Sequence, residues 1–355
     1  MDESPHLEVS RRGSNVKKVG TSVRKNFSEH SGLVVILITL IVLQVGFTDA
    51  SGALGYRKFY EPDAIVVNGP HIWIANVSGN SITEIKASNG SFVREVTSSS
   101  DRLNSPDAMA MSGSDLWVAN LSGESATDLN SSNGALIHVI DSQTDELGKS
   151  LSIAVGDGHV WITNLRDNSV TELNLDGSLV RVLTNGLDGP AGIAVSGNHV
   201  WVTNDTNDTV AVFDAPSGAL HTVINLKTPV PFGPNVLAIS GDRAWIGCFN
   251  SVIELSTRTD RVVYRIHARL NDFNAIEAIS VGDGRVWIAN FTGNTVTELN
   301  GSSGAVVRVI PKSVGHFDGP GGIAVAGSDI WITNLLSNSI TEIDSVSGKL
   351  IRTVK

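Results

Sequence analysis

The sequence is poor in cysteine, in basic residues and in helical patterning, and each shortage excludes a class of protein. Its one cysteine, Cys248, excludes an internal disulfide and a zinc site built from several cysteines. Residues 54–355 carry 20 basic and 31 acidic residues, a net charge of −11, which repels phosphate backbones and argues against nucleic-acid binding. No apolar spacing typical of an amphipathic helix follows residue 50. Motifs for catalysis are also missing: there is no Gly-x-Ser-x-Gly, phosphate-binding loop or metal-spaced Cys/His cluster.

Only one long uncharged apolar run occurs, at residues 33–47 (LVVILITLIVLQVGF), after six basic residues and before the small residues of TDASGA. Its fifteen residues fit the core of a secretory signal peptide and are short for a helix that spans about 30 Å of bilayer. Residues 1–53 are therefore predicted to be a leader, either cleaved after Ala50 or Ala53 or kept as an inside-positive membrane anchor. A buried core helix is the alternative. Both export possibilities place the rest of the chain outside the cytoplasm, with this segment as its only membrane contact.

One sequence phrase is repeated along the chain and occurs, whole or in part, seven times. HVWITNLRDNSVTEL stands at 159–173, RVWIANFTGNTVTEL at 285–299 and DIWITNLLSNSITEI at 329–343. All seven tryptophans fall in this phrase, 40 to 44 residues apart: Trp73, Trp117, Trp161, Trp201, Trp245, Trp287 and Trp331. A strand-rich repeat of this period is typical of a β-propeller with one blade per repeat. We expect each tryptophan to lie in the core between blades.

Within each repeat, short apolar runs alternate with turn residues. In the sixth repeat, AISV at 278–281 is followed by a Gly-Asp-Gly turn, VWIAN, a polar loop, TVTELN, a Ser-Ser-Gly turn and AVVRVI. The pattern predicts an all-β fold: a seven-bladed β-propeller with four antiparallel strands per blade in residues 54–355, preceded by the N-terminal signal or anchor segment. Because the first and last blades each contain all four of their strands, the ring is predicted to close without strand exchange.

An acidic and a basic residue flank the last turn of most repeats symmetrically. The pairs are Glu84 with Arg94, Glu172 with Arg181, Glu298 with Arg308 and Glu342 with Arg352, with Asp128 and His138 in blade two. In blade four both charges are replaced together, by Val212 and Thr222. Residues that change together in this way are predicted to be structural cross-strand partners, each pair contributing about 0.2–1 kcal/mol.

The phrase G-x-x-V-W-V-A-N-x-x-x-N-S-V-T-E-L resembles the YVTN/YncE-like and NHL-like β-propeller repeats over residues 62–355. The resemblance implies a seven-bladed ring with its loops on two faces around a central channel. The streptogramin lyases, which are also propellers, use a histidine together with a Glu-x-His about one blade apart. This chain departs from that pattern, because Glu277 is followed by Ala278 and Ile279, and Asn235 stands one blade earlier.

We call the residue ten positions before each tryptophan the mouth position. Its identity differs from one repeat to another, although the surrounding pattern is kept. This position is occupied by Asp63, Asp107, Leu151, Ala191, Asn235, Glu277 and Gly321. In propellers, ligands usually meet the face formed by the loops that lead into each first strand and link the second strand to the third. Variation on an otherwise symmetric scaffold is what a ligand site at the channel mouth would produce.

Four polar mouth residues, Asp63, Asp107, Asn235 and Glu277, are predicted to converge at the channel mouth as the candidate ligand and metal site. Their hard oxygen atoms suit Ca²⁺ or Mg²⁺, and the lactonase-type propellers that resemble this fold hold a cation there with acidic and amide side chains. The alternative is that these short polar residues only cap strands and face channel water.

Other candidate residues have simpler structural explanations. Asparagine follows three residues after six of the tryptophans and is expected to hydrogen-bond its own turn. In blade five Cys248 takes its place and is expected to be a small buried residue, with a reactive thiol as the alternative. His71, His159 and His199 lie at the opposite end of their blades, too far apart to share a metal.

Together these patterns predict an exported propeller that binds an unidentified protein or small-molecule ligand through the channel mouth and has no catalysis of its own. A metal-dependent hydrolase or lyase, with Ca²⁺ or Mg²⁺ at the mouth, is the first alternative. A purely structural envelope protein is the second.

Overall fold

A computed structural model describes residues 58–97, 103–141, 147–226, 233–267 and 273–355. The predicted leader, with its apolar run and cleavage positions, lies outside these residues. Within them, no helix is both long enough and apolar enough to cross a membrane. Seven four-stranded antiparallel sheets are present, which confirms the predicted seven-bladed propeller.

The first three blades are built from twelve strands. Blade one contains β1 (Pro62–Asn68), β2 (His71–Asn76), β3 (Ser81–Lys86) and β4 (Phe92–Val96). Blade two contains β5 (Pro106–Ser112), β6 (Asp115–Asn120), β7 (Ser125–Asn130) and β8 (Leu136–Asp141). Blade three contains β9 (Ser150–Gly156), β10 (His159–Asn164), β11 (Ser169–Asn174) and β12 (Leu179–Leu183).

The remaining four blades repeat this arrangement. Blade four contains β13 (Pro190–Ser196), β14 (His199–Asn204), β15 (Thr209–Asp214) and β16 (Leu220–Asn225). Blade five contains β17 (Pro234–Ser240), β18 (Arg243–Cys248), β19 (Ser251–Ser256) and β20 (Arg261–His267). Blade six contains β21 (Ile276–Gly282), β22 (Arg285–Asn290), β23 (Thr295–Asn300) and β24 (Val306–Pro311). A helical turn, α1 (Lys312–Gly315), leads to blade seven, which contains β25 (Pro320–Ala326), β26 (Asp329–Asn334), β27 (Ser339–Asp344) and β28 (Leu350–Val354).

The first strands of neighbouring blades contact one another all round the ring, and β1 contacts β25 as it contacts β5. In every sheet the four strands are hydrogen-bonded in chain order. The junction between blades seven and one is therefore built from two complete blades, and the ring closes without strand exchange as predicted. The first strands consequently surround the central channel.

The core lies between blades, and the tryptophans fill it. All seven are at most 1% exposed. Trp73 packs in one cluster with Met109 and Val118 of blade two, and Trp331 packs with Ile72 of blade one. Each tryptophan thus joins its own blade to the next, which confirms the expected core role and explains why the residue recurs once per repeat.

Asparagine side chains in the loops between second and third strands also link neighbouring blades. Asn338 adopts a left-handed backbone conformation with φ of 51°, which asparagine tolerates better than most residues. Its Oδ1 accepts a hydrogen bond of 2.6 Å from the backbone N–H of Glu61 in blade one. Asn80 makes the equivalent bond to Ser105 of blade two at 2.8 Å. The closing junction therefore has the same link as an internal one.

The predicted cross-strand pairs occur in register, but their carboxylates are buried rather than exposed. Glu172 stands opposite Arg181, and Arg181 Nε lies 2.7 Å from Glu172 Oε2. Glu172 is fully buried and also stands opposite Trp161 in the sheet. Because Glu172 is buried, removing one partner would leave an uncompensated charge in the interior, so we expect this pair to couple more strongly than an exposed pair.

Candidate functional site

Each mouth position lies at a β-bulge, an extra residue in the first strand. Pro106 pairs with Asn120 and Ala108 with Ala119, so Asp107 has no partner across the sheet. The same irregularity occurs near the start of the first strand in all seven blades. A bulge leaves the extra residue out of the ladder and redirects its side chain, and such bulges are common beside functional sites. Here it directs one residue per blade towards the channel.

Threonine hydroxyls satisfy the backbone around several of these bulges. Thr333 Oγ1 accepts a 2.6 Å hydrogen bond from the backbone N–H of Gly322 and donates a 2.7 Å bond to the carbonyl oxygen of Asp63 in blade one. Thr163 makes the corresponding bond to the carbonyl of Ala191 at 2.8 Å. The channel-lining strands are therefore held in place by buried side chains, which makes the mouth a rigid support for a ligand.

All seven mouth positions line one cavity of about 290 Å³, which we call the mouth cavity. The structure thus brings the four predicted site residues together. Leu151, Leu165 and Ala191 form an apolar part of the wall, and a ring of apolar residues from the seven first strands lies next to the mouth positions. That ring consists of Ile65, Met109, Ile153, Ile193, Leu237, Ile279 and Ile323.

The charged residues that line the mouth cavity are all acidic. Burial, together with a smaller contribution from the negative charge of Glu61, raises the pKa of Asp63 to about 6. Burial also raises the pKa of Asp107 well above its usual range, with Asp63 adding to the effect. The pKa of Glu277 is raised first by burial and then by Asp63 and Asp107. No Lys, Arg or His of the described chain lines this cavity, so the cavity favours a positive charge.

Asn235 contributes an oriented amide to the same cavity. Its Nδ2 donates a 2.8 Å hydrogen bond to the carbonyl of Ile276 in blade six, which fixes the direction of the amide. Its Oδ1 is buried and accepts no hydrogen bond from the part of the chain that the structure describes. The free acceptor is therefore available to a ligand that donates a hydrogen bond.

A fourth carboxyl, Asp205, lines the cavity and was missed in the sequence. It lies between β14 and β15 and is only 6% exposed. Burial raises its pKa to about 7, with Asp208 adding a smaller contribution. The signal was present, because the other six repeats place an apolar residue four positions after the tryptophan: Val77, Leu121, Leu165, Phe249, Phe291 and Leu335.

The other sequence candidates have structural roles. Cys248 is fully buried, and burial raises the pKa of its thiol to about 12, which opposes formation of a reactive thiolate. Asn76 Nδ2 donates to the hydroxyls of Ser81 and Thr83 on β3, so it bridges two strands rather than only capping its turn. His159 lies 3.0 Å from Glu172 at the end of the blade opposite the mouth.

The four predicted metal ligands provide suitable oxygen atoms, yet their arrangement does not form a compact metal site. Among the described residues, no group of three or more His, Cys, Asp and Glu side chains is placed so that it could hold a metal ion. Ca²⁺ or Mg²⁺ at the mouth therefore stays a prediction from the donor chemistry of Asp63, Asp107, Asn235 and Glu277.

The fold is similar to those of solved propellers with varied functions. A streptogramin B lyase matches with a TM-score of 0.70 at 16% identity, covering 81% of this chain and 94% of that one. A catalytically inactive virginiamycin B lyase from Staphylococcus aureus, solved with quinupristin, matches with a TM-score of 0.68 at 19% identity, covering 81% and 96%. The propeller domain of Cps50 (Swd1) from Myceliophteria thermophila matches with a TM-score of 0.66 at 10% identity, covering 80% and 97%.

These likenesses define the class of the protein as a seven-bladed β-propeller. No family model matches the chain, and no curated protein matches it in sequence. Because identities of this size support the fold alone, function has to be argued from the mouth cavity.

Proposed function

We propose that the protein is a ligand-binding propeller of the YVTN/YncE-like kind, which holds a positively charged ligand in the mouth cavity without transforming it. One observation carries the proposal: the position at which the repeat varies lines a single cavity in all seven blades, and its charged residues are all acidic. A cation would relieve the mutual repulsion of Asp63, Asp107 and Glu277. The repeated tryptophan phrase supports the relationship to YVTN/YncE-like propellers.

The limited set of reactive side chains around the mouth cavity supports binding without chemistry. Within the described chain, the residues around the cavity include no His, Cys or Lys that could act as a nucleophile or as a base for Ser152. Carboxyl groups remain, and they suffice to attract a cation.

Thermal unfolding tests the binding function. We expect at least one class of small cation to raise the melting temperature of the purified protein, while anions of similar size do not. A ligand at a hundredfold excess over Kd adds about 2.7 kcal/mol to the stability. The Asp107→Asn/Glu277→Gln variant should lose the response, whereas Asp157→Asn, at the opposite end of blade three, should keep it. Equal responses in all three proteins would contradict the proposal.

The second candidate is a metal-dependent hydrolase or lyase. The observation that favours it is the set of raised carboxyl pKa values, because such groups can act as general acids or bases. Calcium-dependent turnover of lactone or ester substrates that disappears with chelator and in Glu277→Gln would support this candidate. Recovery of the bound ligand unchanged would support the binding module.

We also propose that the propeller is exported, either secreted or tethered by the N-terminal segment. The support is the apolar run at 33–47 and the basic residues before it. Cell fractionation should place the propeller outside the cytoplasmic membrane, and a soluble full-length cytoplasmic protein would contradict the proposal.

A further inference from the structure

The mouth cavity is divided into an acidic arc and an apolar arc. Glu277, Asp63 and Asp107 come from blades six, one and two, and blade seven, which lies among them, contributes the side-chain-free Gly321. Leu151, Leu165 and Ala191 come from the neighbouring blades three and four. A small ion would use only the first arc. A ligand that fills the cavity meets three carboxyl groups on one side and, on the other, a mainly hydrocarbon wall with the single carboxyl of Asp205.

Two further polar groups lie outside the acidic arc. Asp205 of blade four is 6% exposed and lines the cavity. The buried Oδ1 of Asn235 accepts no hydrogen bond from the described chain. A buried acceptor without a donor is costly, so the Asn235 Oδ1 points to a ligand that supplies a hydrogen-bond donor.

The spread of these acceptors decides between a metal ion and an organic cation. A metal ion needs its ligands around one point, and no described group of three His, Cys, Asp and Glu side chains meets that condition. An ammonium or guanidinium group donates several hydrogen bonds in different directions and can be attached to an apolar body. That body would bury the hydrocarbon surface of Leu151 and Leu165, which a hydrated ion would leave in contact with water.

We infer that the ligand of the mouth cavity is an amphipathic organic cation, an amine or guanidine with a short hydrocarbon body, rather than a metal ion. The inference rests on the proposed binding function and specifies its ligand class. The cavity volume of about 290 Å³ lies at the lower end of the range for small-molecule pockets, which suits a ligand of modest size.

Four probes separate the contributions of charge and of hydrocarbon to the affinity of a ligand. They are hexylamine, hexanol, methylamine and calcium chloride. Titration calorimetry and thermal unfolding are carried out on the full-length protein at pH 8, where the Asp63 carboxyl is ionised. Hexylamine should bind at least tenfold more tightly than hexanol, which lacks the charge, and than methylamine, which lacks the body. Calcium should bind more weakly than hexylamine, and equal binding of hexylamine and hexanol would overturn the inference.

Matched variants test how much the acidic arc and the apolar arc each contribute to binding. Asp107→Asn/Glu277→Gln should weaken hexylamine at least tenfold, and Asp157→Asn should leave it unchanged. Leu151→Asn should weaken hexylamine without changing methylamine, whereas Leu175→Asn, in an exposed turn of blade three, should change neither. Isosteric amides replace buried carboxyls, so folding is expected to be retained, and unfolding in urea checks it.

The outcomes distinguish the inference from the function on which it rests. If calcium binds more tightly than hexylamine and loses its affinity in Asp107→Asn/Glu277→Gln, the cavity binds cations but the organic ligand is wrong. If hexylamine binds equally to every variant, its binding is nonspecific and the inference is also wrong. If neither cation depends on the mouth residues, the proposed function is contradicted as well.

Discussion

The carboxyl of Asp63 occupies the space that a side chain at Gly321 would fill. A Cβ atom added to Gly321 would clash with Asp63 Oδ1, the free end of the aspartate side chain. The two residues stand in blades one and seven, on either side of the ring closure. Because Gly321 of blade seven has no side chain, the Asp63 carboxyl of blade one can occupy this position.

Gly321→Ala is expected to displace the Asp63 carboxyl without removing its charge. The backbone of Gly321 does not require a left-handed conformation, so alanine is tolerated there. Hexylamine binding should weaken by about as much as in Asp63→Asn, and the double variant should bind no more weakly than either single variant. Additive losses measured by calorimetry would show that the two positions act independently.

Asp63→Asn is expected to stabilise the protein at neutral pH and to have no effect near pH 4. The pKa of Asp63 is raised to about 6 in the folded protein, so the folded state binds the proton more tightly than the unfolded state. The stabilisation that this group provides is complete below pH 4 and is lost as the pH rises through 6. The gain from the variant has an upper limit on the order of 3 kcal/mol. Urea unfolding of both proteins at pH 4, 5.5 and 7 checks the trend, and a gain independent of pH would contradict it.

The pair of Glu172 and Arg181 should show strong coupling. Arg181→Thr is expected to cost about 3–5 kcal/mol, because it removes the guanidinium beside the buried Glu172 carboxylate and leaves His159, 3.0 Å away, as its neighbour. Glu172→Val/Arg181→Thr copies the arrangement of blade four and should be much closer to the wild type. Urea unfolding of the wild type, Arg181→Thr, Glu172→Val and the double variant gives the coupling energy. A double variant less stable than Arg181→Thr would exclude this explanation.

Trp331→Ala should destabilise the protein by about 3–5 kcal/mol, the usual cost of removing a buried tryptophan side chain. Trp161→Ala, inside the ring, is the matched control because both side chains are fully buried. Equal losses are expected, since the closing junction has the same type of cluster as the others. A much smaller loss for Trp331 in urea unfolding would mean that the closing junction contributes less stability.

The sequence predicted the fold well because the pattern of one blade occurs in it seven times. The tryptophan spacing gave the number of blades, and the joint loss of charge at Val212 and Thr222 gave the pairing of outer strands, which the register confirms. Burial of Glu172 was not predictable from its own repeat. A glutamate in a period-two pattern indicates an outward position, whereas in the folded protein Glu172 is buried opposite Trp161.

The site was predicted in part. The mouth position was located from its variation, but a count of residues along the chain cannot reveal a β-bulge, so the reason for its orientation came only from the structure. Asp205 stands at a different position of its repeat from the other three carboxyls, so variation at the mouth position does not reveal it. Its neighbour Asn204 fits the repeat, and the acid four residues after Trp201 stands in a loop whose direction the sequence alone does not give.

The bulges also bear on how such a protein could change during evolution. Asp107 stands outside the sheet ladder, so replacing it alters neither a cross-strand pair nor the tryptophan cluster between blades. Selection can therefore alter the mouth residue of one blade at a time while the scaffold stays the same. The mouth residue of each of the seven blades can therefore change independently of the others. A new specificity then arises from a few substitutions, and the ancestral fold is retained throughout.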